Sequence, residues 1–136
     1  MGNSRFIFDT NAFISAALIE SSVNAKALDK AFLTGTVIIS TATFSELTEV
    51  IFRPKFDKYF TDERRISFLD KIERDTKLCA ITESITACHD PKDDNFLELA
   101  VAANAACIIS GDADLLALHP FRDIPILNAA DFLLKF

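Results

Sequence analysis

Four acidic residues carry the chemistry this sequence offers: Asp9, Glu46, Asp94 and Asp112, spread over most of a 136-residue chain. His89 and His119 each lack a partner at metal-ligand spacing, and Cys79, Cys88 and Cys107 form no CxxC pair. An all-oxygen donor set of this kind suits a hard divalent cation, Mg²⁺, Mn²⁺ or Ca²⁺, better than Zn²⁺. One or two such ions polarise a phosphodiester, lower the pKa of the attacking water and stabilise the leaving oxygen, so phosphate chemistry is the natural use and no side-chain nucleophile is required.

Every one of these acids also has a purely structural explanation. Asp9 precedes a helical pattern beginning near Asn11, Thr43-Phe-Ser-Glu46 has the spacing of a capping box, and Asp93 or Asp94 and Asp112 or Asp114 are ordinary N-cap choices. Capping accounts for each acid taken singly. It accounts less well for two acids placed directly after apolar runs that should lie side by side, because co-located carboxylates repel unless a cation or protons intervene.

Those runs are the positioning elements. Arg5 to Phe8, Val37 to Ile39, Leu78 to Ile81, Cys107 to Ile109 and Ile124 to Leu127 are short and apolar, as strands buried on both faces must be. Between them lie helical patterns at Asn11 to Ile19, Asn24 to Leu33, Thr43 to Phe52 (stopped before Pro54), Thr61 to Thr76, Asp94 to Ala105, Ala113 to Leu118 and Ala129 to Phe136. This alternation predicts an α/β fold, one domain over residues 1–136, with a mainly parallel central sheet flanked by helices on both faces. Ligand sites in such sheets form beyond the carboxyl ends of the strands. Asp9 follows the first run and Ser110-Gly111-Asp112 follows the fourth, so two acids fall on that edge.

The ordered set Asp9-Thr10-Asn11, Ser45-Glu46-Leu47, Asp90-Pro-Lys-Asp-Asp94-Asn-Phe-Leu-Glu-Leu-Ala100 and Ile108-Ile-Ser-Gly-Asp112-Ala-Asp114-Leu-Leu116 resembles the PIN-domain nucleases, and more closely the PIN-family toxin components of type II toxin–antitoxin systems. The likeness runs over essentially the whole chain. It implies a metal-dependent endoribonuclease, with Mg²⁺ or Mn²⁺ held by Asp9, Glu46, Asp94 and Asp112, Asp114 auxiliary, and Asn11 and Ser110 orienting the first and last acids. It also implies RNA as substrate, an antitoxin as partner and a homodimer as a possible assembly. Asp90, Asp93 and Asp94 compete for the third acidic position, and the register that makes Leu97 and Ala100 the family's apolar contacts selects Asp94. Where the family commonly follows the fourth acid with a basic or polar residue, this chain has Ala113.

A single basic island interrupts an acidic chain. Eight of the 14 Lys and Arg residues lie between Arg53 and Lys77, giving that segment +2 against −8 elsewhere and −6 overall. Arg53, Lys55, Arg64 and Arg65, interleaved with Phe56, Tyr59, Phe60 and Phe68, are the candidates for guiding a nucleic-acid backbone. The competing reading is the solvated face of an amphipathic helix whose apolar side is Ile66, Leu69 and Ile72, and a third is a partner surface. A pI near 4.8 argues against a protein that coats nucleic acid with a broad basic face, an objection that weakens where the acids gather around a cation.

Other function classes fit less well. Gly2, Gly35 and Gly111 are the only glycines, so no phosphate-cradling glycine loop exists. A phosphorylated receiver domain would need an acid after its central strand and a late lysine, whereas Val37-Ile-Ile39 is followed by Ser40-Thr41 and no lysine follows Lys92 before Lys135. A DNA-directed nuclease or phosphatase on the same acids, and a catalytically silent PIN-like binding module, remain as alternatives. The longest near-apolar stretch, Leu99 to Ile109, is broken by Asn104 and falls short of the roughly 18 residues a bilayer span needs. With no signal-peptide shape at the start, the expected location is the cytoplasm, with no membrane partner.

Overall fold

Strands with apolar residues on both faces must be covered twice, and the computed structural model, which describes residues 3–136, shows both covers. Five parallel strands, β1 (Ser4–Phe8), β2 (Gly35–Ile39), β3 (Lys77–Leu78), β4 (Cys107–Ile109) and β5 (Ile126–Leu127), form one sheet in the order β3-β2-β1-β4-β5. The helices are α1 (Thr10–Leu18), α2 (Val23–Thr34), α3 (Thr41–Ile51), α4 (Asp62–Asp75), α5 (Asp94–Ala103), α6 (Ala113–Leu116) and α7 (Ala129–Lys135), with a short 3-10 turn at Pro54–Phe56 after α3. The expected α/β architecture is therefore present. None of the helices among the described residues is long and apolar enough to cross a membrane.

The two-residue period of a strand splits the core into two layers. Phe6, Phe8, Val37, Ile39, Cys107 and Ile109 point to one side, where they meet Leu28, Leu47, Ile51, Leu69, Ile72 and Phe132 from α2, α3, α4 and α7. Ile7, Ile38, Ile108 and Ile126 point to the other, where they meet Phe96, Leu97 and Leu99 of α5 and Leu115 of α6. The third and fifth strands are shorter than their apolar runs: Leu78 is an exposed edge residue and the chain from Cys79 to Ala87 is irregular. Close β1–β2 pairing requires one glycine, since a Cβ at Gly35 would stand 2.2 Å from the Ser4 carbonyl oxygen.

Sheet order and register fix the location of the chemistry. β1 lies between β2 and β4, so the chain leaves β1 toward one half of the sheet and later returns to the other half, creating a crevice at the carboxyl ends of β1 and β4. Phe8 pairs with Ile109, which makes the next residue on each strand, Asp9 and Ser110, neighbours.

Candidate active site

A cleft of about 290 Å³ opens at that crevice, lined by Asp9, Asn11, Glu46, Asp90, Asp93 and Asp112 among others. Asp9 does two jobs with its two oxygens. Oδ1 accepts from the Ala12 N–H at 2.8 Å, capping α1, and Oδ2 accepts from the Ser110 hydroxyl. Ser110 is itself buried and its Oγ accepts from the Asp112 N–H at 3.0 Å. One serine thus ties the first acid to the strand end that carries the last. Asp112 Oδ2 caps α6 through the Leu115 N–H at 3.1 Å. Capping and clustering are both true of Asp9 and Asp112, because a cap uses a single carboxylate oxygen.

Glu46 is not a capping residue. The box at the start of α3 is closed by Ser40 and Thr43, with Ser40 Oγ accepting from the Thr43 N–H and Thr43 Oγ1 accepting from the Ser40 N–H. That exchange leaves Glu46, one turn further on, aimed into the cleft, where it accepts a hydrogen bond from the Thr10 hydroxyl. Thr10 had no role assigned from sequence, although it sits inside the Asp9-Thr10-Asn11 motif.

The placement of Asp94 differs from expectation, since the cleft lining holds Asp90 and Asp93 instead. Asp94 Oδ1 accepts from the N–H groups of Ala87 and Cys88, at 3.0 and 2.7 Å, and the residue is buried away from the cleft. Its carboxylate moors the 85–90 loop to α5, as does Glu98, which accepts from the Ile85 N–H at 2.8 Å. Asp93 occupies the N-cap position of α5, yet its side chain makes no capping bond and lines the cleft with Asp90. Adjacent helical residues point about 100° apart, so the residue after Asp93 necessarily faces elsewhere. Asp114 is exposed and lies outside the cleft lining.

Electrostatics separate these acids further. Burial, opposed by the Ser110 and Ala12 hydrogen bonds and reinforced by Asp112 and Glu46, pushes the Asp9 carboxyl up to about 6. Burial and then the carboxylates of Asp112, Asp90, Asp9 and Glu46 push Asp93 up to about 6 as well. For Asp94, burial pushes upward but is outweighed by the donors at Ala87 and Cys88, and its pKa lies below the usual range. Burial, with Asp94 beside it, pushes the Cys88 thiol up to about 12, which leaves no thiolate nucleophile near the site. His119 is a turn residue whose Nδ1 accepts from the Ile126 N–H at 2.9 Å.

The basic island divides. Arg53 and Lys55 line the acidic cleft. Arg64 donates to the carbonyl oxygens of Ala17 and Tyr59 at 2.7 and 3.1 Å and lies over the Phe60 ring, outside the cleft. Arg65, 3 % exposed, is a core residue: Nε donates to the Ile51 carbonyl at 2.7 Å, and its terminal nitrogens pair with Asp57 and Asp62 at 2.9 and 3.1 Å. The buried face of α4 is Arg65, Leu69 and Ile72, and Ile66 is 52 % exposed. The stripe keeps helical spacing, but with arginine in the place assigned to isoleucine. Arg65→Ala should therefore cost about 2–3 kcal/mol of stability through the stranded Ile51 carbonyl and the lost packing, both acids being exposed enough to be rehydrated. Urea unfolding checks this, and nucleic-acid affinity per folded molecule should not change.

A family model described as PIN domain matches residues 5–114. The chain is 31% identical over 119 residues to an uncharacterized protein of Methanocaldococcus jannaschii, a match covering 85% of this chain and 75% of that one. Its fold is similar to a chain of VapBC2 from Rickettsia felis, solved bound to a promoter DNA fragment, with TM-score 0.64 and 14% identity over 91% of this chain and 98% of that one. It is also similar to a chain of VapBC-1 from nontypeable Haemophilus influenzae, with TM-score 0.62 and 13% identity over 93% and 98%.

Proposed function

The chain belongs to the PIN-domain family, and from that membership we propose that it is a divalent-metal-dependent endoribonuclease with Asp9, Glu46, Asp93 and Asp112 as its acids. One observation carries the reading: four acids from distant parts of the sequence line one cleft at the switch point of the sheet, two of them raised to about 6 by burial and by one another. Nature rarely concentrates like charge this way without a cation to balance it.

The donor set fits Mg²⁺ or Mn²⁺. Among the described residues no three Asp, Glu, His or Cys side chains form a ready-made metal cage, and Mg²⁺ characteristically takes one or two carboxylates while keeping several waters and phosphate oxygens in an open site. The ion would supply a polarised phosphodiester and an activated water. The protein's own part is orientation. Ser110 holds the Asp9 carboxylate against the strand end, Thr10 holds Glu46, and α6 holds Asp112. Asn11, exposed on the cleft lining, makes a polar contact available to substrate.

The resemblance to toxin components, and the fold shared with VapBC chains, support a further step: a toxin acting in the cytoplasm, with a separate antitoxin and a second copy of the chain as partners. The primary test is incubation of the purified protein with structured RNA, unstructured RNA and single-stranded DNA in Mg²⁺, Mn²⁺ or EDTA. Metal-dependent internal cuts in RNA are expected, and cuts confined to DNA would transfer the chemistry to another substrate.

Metal should also stabilise the fold in a pH-dependent way. Asp9 and Asp93 titrate near 6 when folded against 3.8 unfolded, so between those values the folded state binds more protons and metal-free stability falls as pH rises from about 4 to about 6, then levels off. Millimolar Mg²⁺ or Mn²⁺ should raise Tm above pH 6 and do little near pH 4, where protons occupy the ligands. Melting curves with metal and with EDTA at several pH values read the effect directly, and a metal shift independent of pH would contradict it.

A further inference from the structure

The cleft that gathers the acids also contains three cations, and they come from opposite layers of the fold. Arg53 and Lys55 stand on the connection after α3, whose Leu47, Val50 and Ile51 pack on one side of the sheet. Lys92 stands on the turn before α5, whose Phe96 and Leu97 pack on the other. Asp9 is buried at the carboxyl end of the central strand β1, whereas Lys55 and Lys92 are exposed.

Their surroundings leave these cations available. Among the described residues neither Lys55 nor Lys92 makes an ion pair, and Lys55 Nζ rests 5.1 Å from the centre of the Phe56 ring. Arg53 is held by Glu49 at 3.1 Å in an exposed i,i+4 pair, a contact weak enough to be exchanged for a phosphate. Lys92 sits on a braced turn, its backbone N–H donating to Asp90 Oδ1 at 3.0 Å. Arg64 and Arg65, by contrast, have their nitrogens committed to the protein.

We propose that Arg53 and Lys55 on one side and Lys92 on the other hold the phosphates flanking the reacting one, so that a single RNA strand crosses the cleft from the 3-10 turn to the Asp90–Asp93 turn. The inference rests on the nuclease reading and adds the path of the substrate. Five carboxylates face these three cations in the lining, so the flanking phosphates are retained at the cationic edges and the reacting one would approach the acids only with a bound cation offsetting their charge. Asp9 is the most buried of these acids, and an unpaired backbone reaches a recessed carboxylate more readily than one held in a duplex. Phosphate contacts of this type position a strand without reading its sequence.

The experiment compares wild type, Lys92→Gln, and Arg53→Gln with Lys55→Gln. Binding of a short single-stranded RNA of mixed sequence is measured in Ca²⁺ at several salt concentrations, with gels confirming that the RNA stays intact and melting curves confirming the fold. Each lost contact should lower the slope of log affinity against log salt by about 0.7, so roughly 0.7 for Lys92→Gln and 1.4 for the double variant. Affinity should fall severalfold in both, and tighter wild-type binding to the single strand than to a duplex of the same length is expected. An unchanged slope in either variant, a preference for the duplex, or a wild type that binds no RNA overturns the proposal. A wild type that binds with these slopes but never cuts in Mg²⁺ or Mn²⁺ supports the strand path and refutes the nuclease reading alone.

Discussion

Asp9→Asn is expected to reduce RNA cleavage by roughly 10²–10⁴-fold, the rate equivalent of losing several kcal/mol of transition-state charge stabilisation, while leaving the fold intact. The structure explains why these effects separate. The oxygen that caps α1 is Oδ1, held by the Ala12 N–H, and asparagine retains that acceptor and is an equally good cap. The oxygen facing Ser110 becomes an amide, which removes the anionic ligand and leaves the Ser110 hydroxyl free to rotate and accept. The ionised wild-type carboxylate is held at a cost, its pKa pushed to about 6 by burial first and by Asp112 and Glu46 after that. A neutral amide escapes the cost, so in EDTA well above pH 6 the variant should melt at the same temperature or a few degrees higher. Cleavage rates and melting curves measured together decide the matter: a variant that cuts at the wild-type rate makes Asp9 a helix cap and nothing more.

The fold was readable because its signals are redundant. The central strands β1, β2 and β4 are apolar on both faces and the helices beside them keep an apolar stripe, so an error of two residues at an element's end changes little; the third strand shrank to Lys77–Leu78 without moving the site. The placement of Asp9 and Asp112 was readable because residues one to three positions beyond a parallel strand stay at its carboxyl end. Glu46 was singled out through family likeness while its competing role as a cap stayed open, and that cap role falls away because Ser40 and Thr43 close the box between themselves.

Direction around a helix was the part that could not be read. Arg64 and Arg65 are indistinguishable in composition, yet one step of about 100° puts the first on the surface and the second in the core. The pattern Arg65, Leu69, Ile72 has helical spacing, but an apolar-only search passes over its arginine and selects Ile66. Lys92 was overlooked because a lone lysine in a turn has no pattern at all; only the packing of α5 brings it to the acids.

The same one-residue ambiguity produces the sharpest contrast in the molecule. Asp93→Asn should lower cleavage by orders of magnitude and shrink the metal-induced rise in Tm, whereas Asp94→Asn should do neither. Asp93 faces the cleft with its carboxylate uncapped and its pKa raised to about 6, by burial and then by four other acids. Asp94 faces the loop, accepts two backbone N–H groups on one oxygen and is held below the ordinary range. Asparagine at 94 keeps that oxygen and both bonds in weaker, uncharged form. Alanine at 94 removes them and should cost about 1–3 kcal/mol, moderated because Ala87 and its neighbours are open to water. The acid profile of that stabilisation also has the opposite sign to that of the cleft acids. A depressed carboxyl stabilises above its unfolded pKa and loses this contribution as pH falls through the folded value, so Asp94→Ala should differ most from wild type near neutrality and least in strong acid. Cleavage rates, melting curves with EDTA and with Mn²⁺, and their pH dependence measured on the three variants separate the roles. If Asp94→Asn loses activity and the metal shift while Asp93→Asn keeps both, the first turn of α5 must rotate when the ion binds, and the third acid returns to Asp94.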